Sequence, residues 1–455
     1  MMLKKMIVGF RLFVLLCASA IASAQTESHV IVGNNDWLFS KFATVDEQQD
    51  SEVLASIELI KSANKILKKA NITLVVITVP FKMVLYPEYL PDGLELTRYM
   101  KDFNDATLSR LSESGVAVID LKKAFHQAVQ NDPQNLLFYK LDTHWTPSGT
   151  IIAAKTVQQG LSSQPNLRRI YDAMPTVPFT LNWDKKIYVQ RKIRDLAKSL
   201  PFSVSAYPPE RTKIFTVIKN SEPAASRLAW QSQDGELVLA GSSASGDWLY
   251  FPDALRYSLQ RNIFNFSIDG GAGPWAVLRE YLQSDQFETK RPSLLIWEIP
   301  GQSFWGGPNL PWRLERYKID PQLWLLQIAA LTETVCDPVS VKIQVRAGAG
   351  SLTGQEPANS KRSELDIQFD KPLDSSMYLR AKAVTNGTQQ LMVDAWSKQQ
   401  LKNRMNVTVG TDGINHALRV PIGVGIKEIS QLRVSGISAL GDVQICRYSE
   451  NWLAR

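Results

Sequence analysis

Residues 72–79 read Ile-Thr-Leu-Val-Val-Ile-Thr-Val, an almost unbroken β-branched run. A strand with one wet face alternates apolar and polar residues. This one does not, which suits a central strand of a parallel sheet covered on both faces. Parallel strands need crossover connections, and the flanking sequence supplies them. Across residues 51–70 the apolar positions Val53, Leu54, Ile57, Leu59, Ile60, Ile66 and Leu67 recur at helical spacing. Further helices are predicted over 99–114 and 121–130, separated by a short strand at 116–120. Short apolar strands follow at 237–240 and 294–299, with helical spacing near 247–261 and 275–282. The alternation predicts an α/β domain with a mostly parallel sheet. Residues 160–235, with prolines and mixed charge, read as an insertion or cover over that core.

After Cys336 the pattern changes. Period-2 or β-branched runs at 339–345, 363–369, 377–384, 390–396, 406–409, 417–421, 431–434 and 443–446 are separated by Gly, Asn, Asp and Pro. Regularly spaced short strands with turn signals predict an all-β sandwich. The division expected is therefore 1–24, 25–335 and 336–455. The first segment carries Lys4, Lys5 and Arg11, an apolar run over 10–21 and Ala22-Ser23-Ala24, the layout of a cleaved secretory signal. An uncleaved anchor is the alternative, for which the apolar run is short. Export would leave Cys336 and Cys446 in an oxidising compartment, either as one disulfide clamping the ends of the β module or as two buried thiols.

Removing the signal lowers the formal charge from +7 to +4, which is no nucleic-acid signature but suits contact with an acidic polymer. The histidines are His29, His126, His144 and His416, and none falls in a metal-ligand spacing. No metal or other cofactor is expected.

Two segments carry the chemistry. Asp142-Thr143-His144-Trp145-Thr146-Pro147 puts a carboxylate two residues before a histidine, on the same side of an extended loop. Such a carboxylate fixes the imidazole tautomer and stabilises its protonated form. An Asp-His pair leading into a helix would look the same. Gly241-Ser242-Ser243-Ala244-Ser245 follows an apolar strand and precedes a helical stretch. A serine there would stand above the strand ends, where open α/β sheets bind ligands, although plain loop and N-cap serines also fit. Together they supply orienter, base and nucleophile for acyl transfer through a serine ester. In the β module Trp396, Lys398, Lys402 and Arg404 form an aromatic and basic cluster. It reads either as a platform stacking on sugar rings and pairing with carboxylates, or as a core Trp with solvated cations.

The two segments, in this order in one exported chain, resemble the AlgX/AlgJ family of alginate O-acetylation proteins, with an SGNH-hydrolase-like domain. Asp142-Thr143-His144-Trp145 matches its D-T-H-W motif and Gly241-Ser242-Ser243-Ala244-Ser245 its G-x-S-x-S motif. Val32-Gly33-Asn34-Asn35-Asp36-Trp37-Leu38-Phe39 is similar to its G-x-x-G-W-L-F segment, and Ile296-Trp297-Glu298-Ile299-Pro300 to its W-E-x-P strand end. The chain departs from the pattern at Asp36, where Gly is common, and at Gly301-Gln302-Ser303-Phe304, and it lacks a second cysteine pair in the α/β domain. The β module points to the AlgX branch, where it is a carbohydrate-binding module tied by a disulfide.

The resemblance implies Ser243 as nucleophile, His144 as general base and Asp142 as orienter. It suggests Asn265 as an oxyanion donor, where a turn Asn is the plainer reading. It also implies a periplasmic O-acetyltransferase acting on an anionic exopolysaccharide, most simply alginate. Acetyl groups would come from a membrane acyltransferase partner within a polysaccharide biosynthesis and export complex, and no nucleic acid is involved. An acetyl esterase with the same triad, or a non-catalytic binding subunit of an export complex, remain the alternatives.

Overall fold

The computed structural model describes residues 29–200, 206–220, 236–269, 271–310, 314–347, 364–384, 390–408, 416–425, 428–437 and 439–453; the expected signal segment, with Cys17, lies outside them. A small hairpin, β1 (Val30–Val32) and β2 (Leu38–Ser40), opens the described chain. Its turn places Asn35 at φ 54° and Asp36 at φ 64°, left-handed positions that glycine adopts freely and Asn and Asp tolerate best among other residues. Asp36, where the resemblance would put glycine, thus takes a backbone conformation that glycine adopts freely.

The core sheet contains β3 (Thr73–Ile77), β4 (Ala117–Ile119), β7 (Leu237–Gly241), β8 (Ile263–Ser267) and β9 (Leu294–Glu298), in the spatial order β4-β3-β9-β7-β8. All four pairings are parallel. The β-branched run behaves as its composition requires: Val75 and Val76, pointing to opposite faces, are both fully buried. Each such side chain contributes about 1.5–3 kcal/mol relative to exposure. Helices Asp50–Lys69, Gly273–Gln283 and Pro321–Thr332 pack together as one group, and Lys122–Asn131, Pro147–Ser163 and Phe251–Leu259 as another. Chain order runs outward from β3 to β4 and from β7 to β8, and β9 returns between β3 and β7. That reversal puts the carboxyl ends of β3, β9 and β7 side by side, the place where doubly wound sheets hold ligands.

The poorly patterned region contains helix Pro165–Ala173 and an antiparallel ribbon of β5 (Phe179–Val189) and β6 (Arg211–Lys219). The ribbon packs on helices Pro147–Ser163 and Phe251–Leu259 as a cover.

The β module contains β10 (Asp337–Pro338), β11 (Ile343–Ala347), β12 (Glu364–Leu373), β13 (Met377–Val384), β14 (Gln390–Ser397), β15 (Gln400–Thr408), β16 (His416–Pro421), β17 (Ile429–Ser435) and β18 (Ala439–Arg447). They form two antiparallel sheets, β10-β18-β13-β16 and β11-β12-β17-β14-β15, with a sandwich core that includes Ile367, Leu379, Leu418, Leu432 and Val434. Val409, the last residue of the expected strand at 406–409, lies outside the described residues, and residues 406–408 are only the end of β15. Its first half is polar because it lies on the sheet edge, so periodicity did not mark it. Cys336 and Cys446 are joined by a disulfide with Cα atoms 5.1 Å apart, tying the start of the module to its last strand. The module docks on helix Pro321–Thr332: the Tyr448 hydroxyl donates to the Leu326 carbonyl, and buried Arg419 donates to Leu331 O and pairs with Glu288.

Candidate active site

β7 ends at Gly241, and Ser242 then caps a single 3-10 turn, Ser243–Ser245. The turn is held from below by Glu298, the fully buried last residue of β9. Its carboxylate accepts from the Ser242 N–H (2.7 Å), the Ser242 hydroxyl (2.8 Å) and the Ser245 hydroxyl (3.1 Å). Burial outweighs these donors and raises the Glu298 pKa above the usual glutamate value. Nothing larger than glycine fits at 241, where a Cβ would lie 2.1 Å from Ser245 Oγ. Ser243 is left half-buried at the sheet's edge of solvent. Among the described residues its backbone N–H has no acceptor, whereas the N–H groups of Ser242 and Ala244 are taken by Glu298 and by Ser242 Oγ.

Residues 136–146 form a tight loop closed by Thr146 N–H to Leu137 O and Tyr139 N–H to His144 O. Thr146 then caps helix Pro147–Ser163. Trp145 is fully buried against Phe125 and Phe251, and its indole N–H donates to Ala244 O at 2.9 Å. That bond ties the two sequence segments together. Asp142, His144 and Ser243 come into line: the Ser243 hydroxyl lies 2.8 Å from His144 Nε2, and His144 Nδ1 lies 2.6 Å from Asp142 Oδ1. With an ionised Asp142 the chemistry of the partners assigns the imidazole proton to Nδ1, which leaves Nε2 to accept from the hydroxyl.

Burial works against the charge on both groups, but their mutual bond wins. It holds the Asp142 carboxyl below its usual range and His144 above the ordinary 6.5. Asp142 also accepts from the His144 N–H (3.0 Å) and, at Oδ2, from the Asp195 N–H (2.8 Å). Asp195 in turn accepts from the Thr143 N–H and hydroxyl. Trp248 stands edge-on to His144 with ring centres 5.1 Å apart. It is 43% exposed and pinned by Asp269, an aromatic wall open to solvent beside the reacting atoms.

Sequence reasoning missed three supports. Asp195 lies in the weakly patterned region, which offered no signal. Glu210 accepts from the Lys140 and Leu141 N–H groups and is equally silent in the sequence. Lys82 had one: a single cation inside Val79-Pro80-Phe81-Lys82-Met83-Val84-Leu85-Tyr86. Its ammonium is buried under the rings of Trp37 and Phe39 and donates to Leu38 O (2.7 Å), Lys140 O (2.8 Å) and Asp142 O (3.0 Å). It staples the β2 strand to the Asp142 loop. Burial lowers its pKa to about 7 against the raising charges of Glu210, Asp142 and Asp195. Lys82→Met leaves the Leu38 and Asp142 carbonyls without a donor, while Lys140 O keeps the Leu38 N–H, and the expected cost is about 2 kcal/mol, at roughly 1 kcal/mol each. Thermal unfolding of the purified chain measures it, and an unchanged midpoint would count against the staple.

Two expectations for binding residues change. Asn265 is not in a turn; it lies in the middle of β8, and its amide donates to Ser245 O (3.0 Å) and Asp247 Oδ1 (3.1 Å). Those donors brace the nucleophile loop rather than face an oxyanion. Trp396, Lys398, Lys402 and Arg404 do share the β14–β15 hairpin, where Arg404 is committed within the sheet while Lys398 and Lys402 stay exposed. Arg404 grips Asp394 through two bonds of 2.7 and 2.8 Å, Lys398 pairs with Glu428, Lys402 donates to Gln400, and Arg433 covers the half-buried Trp396 ring. The cross-strand register explains this, because Arg404, Asp394, Arg433 and Asp366 fall opposite one another on adjacent strands.

A family model described as "SGNH hydrolase-like domain, acetyltransferase AlgX" matches residues 30–301. A "Probable alginate O-acetylase AlgJ" of Pseudomonas syringae pv. tomato is 27% identical over 321 residues, covering 67% of this chain and 75% of that protein. Among solved structures, the O-acetyltransferase domain of Pseudomonas putida AlgJ aligns with a TM-score of 0.54 at 24% identity, covering 66% of this chain and 98% of that one. AlgX of Pseudomonas aeruginosa aligns with a TM-score of 0.65 at 16% identity, covering 93% of this chain and 95% of that one. The wider coverage takes in both the α/β domain and the β module.

Proposed function

The chain belongs to the AlgX family of SGNH hydrolase-like acetyltransferases, and on that premise we propose that it O-acetylates alginate through an acetyl ester on Ser243. The observation that carries the proposal is the continuous relay Ser243–His144–Asp142, assembled at the carboxyl end of the sheet from two loops bonded to each other and to Glu298.

In the first half-reaction His144 Nε2 takes the Ser243 proton as Oγ attacks the acetyl carbonyl carbon of the donor. Asp142 stabilises the imidazolium that forms. The negative charge developing on the carbonyl oxygen needs donors already in place, and the uncommitted Ser243 N–H is one. The imidazolium returns its proton to the leaving group, and an acetyl-serine remains. In the second half, a sugar hydroxyl gives its proton to His144, attacks the ester and leaves as the O-acetyl sugar, with Ser243 reprotonated. Trp248 walls the site where that sugar ring must sit.

Acetyl donors reach an exported enzyme only across a membrane, so a membrane acyltransferase within the same biosynthetic complex is the proposed source. The signal-like first segment supports a periplasmic location. No helix among the described residues is long and apolar enough to cross a membrane.

The test is a mass spectrum of the purified chain after incubation with a chromogenic acetyl ester, with and without mannuronate oligomers. Wild type is expected to gain one acetyl group and pass it to the oligomer, and Ser243→Ala is expected to gain none. Acetate release with no sugar product would replace transfer by hydrolysis. An acetyl group retained by Ser243→Ala would remove the assigned nucleophile.

A further inference from the structure

We infer that the cavity between the β5–β6 ribbon and the catalytic loop is a binding subsite for the acidic polysaccharide, an inference that rests on the acetyltransferase reading. The cavity has a volume of about 820 Å³, within the ~300–1,000 Å³ usual for ligand clefts. Its roof is one face of the ribbon. On β6 that face alternates as Arg211, Lys213, Phe215 and Val217. Phe215 and Val217 are buried on the α/β core, and the same face continues past them as Lys213 and Arg211, exposed over the cavity. Trp183, opposite Phe215 in register, meets it edge-on with ring centres 5.1 Å apart and remains 41% exposed.

The ribbon brings three cations to the cavity. Lys185, Arg211 and Lys213 line the cavity, and none forms an ion pair among the described residues. Three acids share the lining: Asp184 accepts from the Lys186 N–H and the Tyr188 hydroxyl, Glu210 accepts from the Lys140 and Leu141 N–H groups, and Asp132 is exposed at the far side of the cavity from the ribbon. The floor adds a polar group with nothing to bond. The buried Tyr139 hydroxyl has no hydrogen-bond partner. An aromatic face and unpaired cations suit a polyhydroxylated ring bearing a carboxylate.

The floor is also the catalytic loop. Tyr139 and Thr146 line the cavity, Tyr139 N–H donates to His144 O, and Asp142 and His144 lie on the stretch between them. A polymer held here therefore bears directly on the loop that carries the base.

The triple variant Lys185→Ala, Arg211→Ala, Lys213→Ala in the full chain tests the site. It is expected to bind polymannuronate hexamers about tenfold more weakly or worse than wild type, with the difference shrinking at high salt. Ser243-dependent turnover of a small neutral acetyl ester is expected to be unchanged, which also reports an intact fold. Wild type is expected to bind a neutral cello-oligosaccharide more weakly than polymannuronate. Equal polymannuronate binding by variant and wild type, or equal binding of neutral and acidic oligomers by wild type, overturns the subsite. Either result with ester turnover intact leaves the acetyltransferase reading standing. Absence of Ser243-dependent turnover in wild type would remove that reading instead.

Discussion

Ser243→Ala and His144→Ala are each expected to reduce acetyl-ester turnover by about 10⁴–10⁶-fold, and the double variant scarcely further, because residues of one relay act as a unit. The serine supplies the atom that becomes acylated, and without His144 nothing within reach removes its proton. Asp142→Asn keeps the size of the side chain but reverses the preferred imidazole tautomer, an effect worth about 10⁴-fold in a comparable triad. The pH dependence follows from the sign of the His144 shift. Its pKa is held above 6.5 by Asp142, and only the neutral imidazole accepts the serine proton. Turnover should therefore rise with pH through a value above 6.5 and level off beyond it. Steady-state kcat/KM across about pH 5–9, a window that takes in the ordinary histidine value of about 6.5 and the region above it, reads this directly. A wild-type profile flat through that range would mean His144 is not the base.

The second large effect concerns stability. Converting both Cys336 and Cys446 to alanine is expected to cost about 4–5 kcal/mol, because the disulfide closes a loop of 110 residues. The open chain gains most of that freedom when unfolded. The expected readout is a lower unfolding midpoint for the variant, matched by wild type only after reduction. The loss should appear in the β module, whose first and last strands the bridge joins, while ester turnover at 25 °C persists. Equal midpoints for reduced and oxidised wild type would refute it.

The fold was legible where the signal was local. The β-branched run at residues 72–79 became the doubly buried β3, the helical spacing at 51–70 became helix Asp50–Lys69, and the short runs after Cys336 became two antiparallel sheets. Alternation and helical period are properties of neighbouring residues, so a single stretch of sequence carries them whatever it later packs against. The polar half of β15 was lost for the same reason: an edge strand need not alternate.

The site was legible only as two motifs. Asp142 and His144 announce themselves by proximity in sequence, and Ser243 by its turn, but nothing local says that they meet. That required the chain to return through β7 to the same sheet end after a separation of 99 residues. Lys82, Asp195 and Glu210 act by presenting one atom to a backbone group far away in sequence, an arrangement no period records. Arg404 and Asn265 show the reverse case, where the right residue types are consumed by neighbours that the sequence does not place beside them. Residue chemistry and secondary structure were thus determined by the sequence locally. Which polar groups are left free to act was decided only by the tertiary structure, because a buried donor or acceptor bonds to whatever packing brings within about 3 Å.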